Sequence, residues 1–209
     1  HGLSGQLRIA VIPTALTWAA KISARFGAIH PHVGFTILSR TSVEILQMID
    51  DLDVDAGISY LDNEPLGRVS TVSLYDERYM LVCPEGSPLA QHDRIAWTDL
   101  AGHRLCLLTS DMQNRRIINR NLIESGVTPQ ATVESSSTVV LVAHVLEGGW
   151  ITILPEDIAA FLIRGKPLRM VALDGTDTSH SVGLVAPWRE PHTPMLEALL
   201  GEARRMVSD

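Results

Sequence analysis

The sequence predicts an α/β fold built as two lobes, and three observations predict it. Short apolar runs alternate with segments of helical periodicity, as the strands and helices of a mainly parallel sheet do. Four of these runs stop at a corner of hydroxyl side chains: Pro13-Thr14, Arg40-Thr41-Ser42, Thr109-Ser110-Asp111 and Ser135-Ser136-Ser137-Thr138. The pattern then restarts after the breaker Pro84-Glu85-Gly86-Ser87-Pro88.

Each element has its own signal. Leu7 to Ile12 is almost continuously apolar, as a strand covered on both faces must be. Ala15, Ala19, Ile22, Phe26 and Ile29 then recur at spacings of three and four until His30-Pro31 ends the pattern. Val33 to Leu38 reads as a strand. Thr41 and Glu44 form a capping-box signature for a helix carrying Leu46, Ile49 and Leu52. Asp55 to Ser59 makes a third strand, completing β-α-β-α-β, the opening of a doubly wound sheet. Val69 to Leu74 and Arg78 to Cys83 are two more strands.

Beyond the break, a strand at Arg104 to Leu108 leads to a helix from Asp111 to a Gly126 cap and a strand at Ala131 to Glu134. A helix from Ser137 to Gly148-Gly149 and a strand at Trp150 to Leu154 complete the second unit. Leu168 to Ala172 and Ser181 to Ala186 are strands, and a last helix starts near Pro194 with Leu196, Leu199, Leu200, Ala203 and Met206. Two lobes joined by more than one crossing are expected to hold a ligand between them. Two corners precede the break and two follow it, so each lobe is expected to supply half of one cleft.

Composition narrows the function. With 209 residues and a net charge of −7, the chain lacks the concentrated basic surface that phosphate backbones require. No run approaches the roughly 20 apolar residues of a membrane span. The N-terminus lacks the basic and apolar regions of a signal peptide, which suggests a cytoplasmic protein. Cys83 and Cys106 both sit in apolar strand-like runs and read as buried free thiols. His30 and His32 flank Pro31 without cysteines or carboxylates at ligand spacing, so no metal is expected. The run Asp50-Asp51-Leu52-Asp53-Val54-Asp55 lacks the glycine and terminal glutamate of a calcium loop. No Gly-x-Ser-x-Gly, Walker loop or acid–base pair stands at the corners, so neither a cofactor nor catalysis is expected.

The motifs together resemble one family. Ile12-Pro13, Ile29-His30-Pro31, Ser39-Arg40-Thr41-Ser42, Asp53-Val54-Asp55-Ala56-Gly57-Ile58 and Asp99-Leu100-Ala101-Gly102 follow in order. Val145-Leu146-Glu147-Gly148-Gly149-Trp150-Ile151 and Leu154-Pro155 complete the series. In this order and spacing the chain resembles the effector-binding domain of LysR-type transcriptional regulators. The resemblance implies two Rossmann-like lobes similar to type II periplasmic binding proteins, with a hinge and an interlobe cleft. It places 1–83 and 170–209 in lobe I and 84–169 in lobe II, and an N-terminal winged helix-turn-helix outside this chain. It implies a small-molecule effector, a homodimer or tetramer, and DNA binding only through that missing domain. A periplasmic solute-binding protein shares the fold and remains an alternative. An enzyme on the same scaffold is the other.

Site residues follow from the corners. Pro13 and Thr14 are expected to meet the effector in the first lobe, although Thr14 would also serve as an ordinary helix cap worth about 1 kcal/mol. Thr41 would complete a purely structural cap with Glu44, leaving Ser42 the freer hydroxyl. Arg40 would hold a carboxylate or other small anion through two parallel hydrogen bonds, or else lie solvated on the surface. In the second lobe Thr109 and Ser110 close a strand, with Asp111 expected to cap the next helix. One of Ser136, Ser137 and Thr138 is expected to cap the following helix, with Ser136 retained as a contact. Thr152 would reach the ligand through the gap left by Gly148-Gly149.

Overall fold

Leu7, Ile9, Ala10 and Val11 are buried, and they anchor β1 (Ser4–Val11) in the sheet interior. The computed structural model describes residues 2–174 and 179–209. After β1 a single 3₁₀ turn at Pro13–Ala15 leads into α1 (Leu16–Ile29), which buries Ala19, Ile22 and Phe26 on the predicted face. β2 (His32–Ser39) pairs in parallel with β1 along its whole length. α2 (Ser42–Asp50) starts with the predicted capping box: Thr41 Oγ1 accepts from the Glu44 N–H at 3.1 Å, and Glu44 Oε1 accepts from the Thr41 N–H at 3.0 Å.

β3 (Ala56–Tyr60) is wholly buried and pairs in parallel with β1 on the other side. Gly57 lets α2 lie close against it: a Cβ there would stand 2.4 Å from Ile45 Cγ2 and 3.1 Å from the Ala10 carbonyl oxygen. The carboxyl ends of β1, β2 and β3 therefore gather the first two hydroxyl corners at one end of the sheet. β4 (Val69–Glu77) completes the outgoing part of this unit.

The chain then builds the second unit, Arg78–Ser179. β5 (Tyr79–Pro84), the short β6 (Arg94–Ala96) and β7 (Leu105–Leu108) are followed by α3 (Gln113–Glu124). Gly126 ends that helix at φ +75°, the left-handed conformation its predicted capping role needs. β8 (Ala131–Ser135), α4 (Thr138–Glu147), β9 (Thr152–Pro155), α5 (Glu156–Ile163) and β10 (Leu168–Asp174) complete it. One sheet runs β6-β10-β5-β9, and β7 pairs in parallel with β8. Val82, Cys106, Leu108, Leu141, Val145, Leu154 and Ile158 share its core.

β11 (His180–Pro187) returns to the first unit and inserts between β3 and β4, antiparallel to both, giving the order β2-β1-β3-β11-β4. α6 (Pro194–Ser208) follows, capped by Thr193 Oγ1, which accepts from the Leu196 N–H at 3.2 Å. The first unit thus comprises the residues up to Glu77 with His180–Asp209. Its edges differ from the expected 1–83 and 170–209. Pairing of β5 with β9 and β10 carries 78–83 and 170–174 into the second unit. The run after Leu154-Pro155 also forms α5, for which no helix was expected.

Two capping expectations are corrected. α3 has Met112, not Asp111, at its N-cap, with no side-chain cap. At α4 the N-cap is Ser137, but its hydroxyl makes no cap; instead Ser135 Oγ accepts from the Ser137 N–H at 3.1 Å. Among the described residues, no helix is long and apolar enough to cross a membrane.

Candidate functional site

In the first unit the corner is built on three strand ends. Thr14 is 1% exposed, and its Oγ1 has no hydrogen-bond partner. It lies in the 3₁₀ turn led by Pro13, whose fixed φ suits that position, and no side chain caps either this turn or α1. Thr14 is therefore not the helix cap that competed with its ligand role. Ser59 Oγ on β3 and Thr17 Oγ1 in the first turn of α1 are likewise buried and unpartnered. Burying a hydroxyl without a partner costs about 1–3 kcal/mol, so such groups signal a bound polar ligand or water.

Arg40 is half-buried; its backbone N–H bonds the Val11 carbonyl at 2.9 Å and its Nη1 donates to the Ser39 carbonyl at 2.8 Å. Among the described residues it has no carboxylate partner. Thr41 and Ser42 are 6% and 5% exposed. The capping bond uses a lone pair of Thr41 Oγ1 and leaves its proton free to donate.

The second unit spends its hydroxyls differently. Thr152 is fully buried, and its Oγ1 donates at 2.6 Å to the Cys106 carbonyl, so its one proton is committed to joining β9 to β7. The expected reach past Gly148-Gly149 to a ligand is not what this geometry provides. Thr109 Oγ1 is buried and unpartnered, while Ser110 and Ser136 are exposed. Asn114, in the first turn of α3 and 4% exposed, has neither amide atom paired. Arg115 is buried: its Nη1 donates to Glu134 Oε2 at 2.7 Å and to the Leu108 carbonyl at 2.8 Å.

Both cysteines are free and buried, and burial pushes the Cys106 thiol up to about 11. A thiol held neutral in this way is a poor nucleophile. Among the described residues no group of His, Cys, Asp or Glu is arranged to hold a metal ion.

The sequence profile of the LysR substrate binding domain matches residues 1–208. The chain belongs to the LysR substrate-binding domain family. This LysR domain is 26% identical over 180 residues to the HTH-type transcriptional regulator SsuR of Burkholderia cenocepacia, covering 85% of the chain and 56% of the regulator. It is 24% identical over 205 residues to a probable hydrogen peroxide-inducible genes activator of Mycobacterium avium, covering 96% and 66%. An uncharacterized HTH-type regulator of Escherichia coli, YbhD, matches at 24% identity over 57% of the chain and 38% of its own length. The LysR domain thus spans roughly a third to two thirds of these relatives, which are transcriptional regulators.

Solved structures show the same fold. The effector binding domain of QuiR in complex with shikimate superposes with a TM-score of 0.83 at 19% identity, covering 99% of this chain and 98% of that one. The Synechocystis PCC6803 CcmR regulatory domain in complex with 2-PG superposes with a TM-score of 0.87 at 15% identity, covering 99% of both chains. The expected type II periplasmic-binding-protein-like class is the one observed. Ser59 and Asn114 were missed as candidates in this LysR domain. Ser59 had a readable signal, a hydroxyl at the end of an apolar strand, whereas nothing local marks Asn114 as buried.

Proposed function

We propose that this chain is the effector-sensing part of a longer cytoplasmic LysR-type transcriptional regulator, and that a small carboxylate or other small anion is its effector. Pro13, Thr14, Arg40, Thr41 and Ser42 are the contacts assigned in the first unit, and Thr109, Ser110 and Ser136 those in the second. The observation that carries the reading is Thr14: a hydroxyl at the end of β1, 1% exposed and without a partner. Arg40 supports the anionic class, since its guanidinium is anchored beside the same corner without a carboxylate of its own.

DNA binding belongs to a part of the protein outside these residues, and a homodimer or tetramer carries the signal to it. Effector binding changes transcription when the effector prefers one of two arrangements of that assembly. Titration calorimetry against a panel of small carboxylates, with shikimate and 2-PG included, tests the reading. At least one compound is expected to bind. Arg40→Ala should weaken it by about 1–3 kcal/mol, and Thr14→Val by about 1 kcal/mol. A silent panel with unchanged thermal melting would overturn the anionic assignment.

A further inference from the structure

The first unit holds a concave surface at the other end of its sheet. β11 runs antiparallel to β3, so its last residue, Pro187, lies beyond the start of β3 and opposite the carboxyl ends where Thr14 and Arg40 sit. α2 spans the distance between them, from its cap at Thr41 to Asp50. At nine residues it sets the two places about 13 Å apart along its axis.

Here the exit of α2, the segment before β4 and the segment after β11 enclose a groove of about 650 Å³. Leu46, Ile49 and Leu52 line it from α2 and its exit, and Arg68, Trp188 and Arg189 from the segments before β4 and after β11. Trp188 is 56% exposed, and the Arg68 guanidinium lies 5.3 Å from the centre of its ring. Neither Arg68 nor Arg189 has an ion-pair partner among the described residues.

The helix end adds an independent observation. The Asp53 N–H bonds the Met48 carbonyl at 2.8 Å and the Leu52 N–H bonds the Ile49 carbonyl at 3.1 Å, the two bonds of a Schellman cap. The left-handed residue of such a cap is usually glycine, yet here it is Leu52, at φ +60° and 61% exposed. A strained backbone thus holds an apolar side chain out at the groove instead of letting it collapse.

We propose that this groove is a second ligand site, for a flat monocarboxylate such as an aromatic acid. The ring packs between Trp188 and the leucines, and the carboxylate takes hydrogen bonds from Arg68 and Arg189. Asp50 also lines the groove, and its charge selects against a second carboxylate on the ligand.

Benzoate is the probe, titrated into the 209-residue chain. The readout is the indole N–H signal of Trp188, identified by its loss in Trp188→Phe. Benzoate should shift that signal, while neutral benzamide and doubly charged phthalate bind about tenfold more weakly. The double variant Arg68→Ala/Arg189→Ala should lose about tenfold or more, and Thr14→Val should bind benzoate as the unaltered chain does. Leu52→Gly should melt no lower than the unaltered chain yet bind benzoate about threefold more weakly. An unmoved Trp188 signal overturns the proposal. So does binding that survives the double arginine change, or that disappears with Thr14→Val.

Discussion

Thr14 in the first unit and Thr152 in the second are both buried threonines at a strand end, yet their hydroxyls do opposite things. Thr152 donates to the Cys106 carbonyl and thereby closes a contact between strands. Thr14 donates to nothing among the described residues. The difference teaches that a hydroxyl at a strand end is available to a ligand only where the fold has no use for its proton. The same distinction separates Arg115, committed to Glu134 and the Leu108 carbonyl, from Arg40, which no carboxylate among the described residues holds.

The strongest test of this distinction is a buried polar group of the first unit that the fold fully engages. Glu202 on α6 is 1% exposed and is held by Arg25 of α1 and by Arg205, whose Nη2 lies 2.6 Å from Glu202 Oε2. Glu202→Ala should cost about 2–3 kcal/mol in urea unfolding, since it removes the charge-assisted hydrogen bonds that tie the two helices together. Arg205 first, and Arg25 with it, lowers the carboxyl below its ordinary 4.5 although burial opposes them. A group whose folded value is depressed stabilises the fold above its unfolded value and loses that contribution as pH falls through the folded one. The unaltered chain should therefore lose stability as pH falls below the ordinary carboxyl value, and Glu202→Gln should lose less over the same fall.

Next in size is Thr152→Val, which keeps the shape and removes the donor to the Cys106 carbonyl. It should cost about 2 kcal/mol in the same unfolding measurement, because a buried acceptor is left unpaired. Effector affinity in calorimetry should not change. A weakened effector with full stability would return Thr152 to the site and erase its contrast with Thr14.

How much of this was legible in the sequence divides along the same line. Local signals were readable: the Thr41–Glu44 spacing named a capping box that forms, the 3.6-residue pattern named the buried face of α1, and Gly126 named the end of α3. The corner residues of the first unit could be named because strand ends and caps are neighbours in sequence. What pairing across the chain decides was not readable. The engagement of Thr152 depends on Cys106, 46 residues away, and the unit boundary depends on β5 finding β10. α5 escaped because Ile158 to Ile163 continues an apolar stretch begun on β9, and no N-cap side chain marks its start. Asn114 and Arg115 look like ordinary polar helix residues, and tertiary packing alone buries them.

The smallest effect separates the two hydroxyl corners of the first unit. Thr41→Ala removes the hydroxyl that accepts from the Glu44 N–H, and should cost about 1 kcal/mol, the usual worth of such a cap. Thr14→Val removes a hydroxyl that serves no partner, so stability should stay level or rise slightly as an unpaired polar group leaves the interior. Urea midpoints of the two variants, measured side by side with their effector affinities, check both halves. Thr41→Ala should lose more stability than affinity, and Thr14→Val should lose affinity alone. If Thr14→Val proves the less stable of the two, its hydroxyl is employed by the fold after all, and the first corner is built like the second.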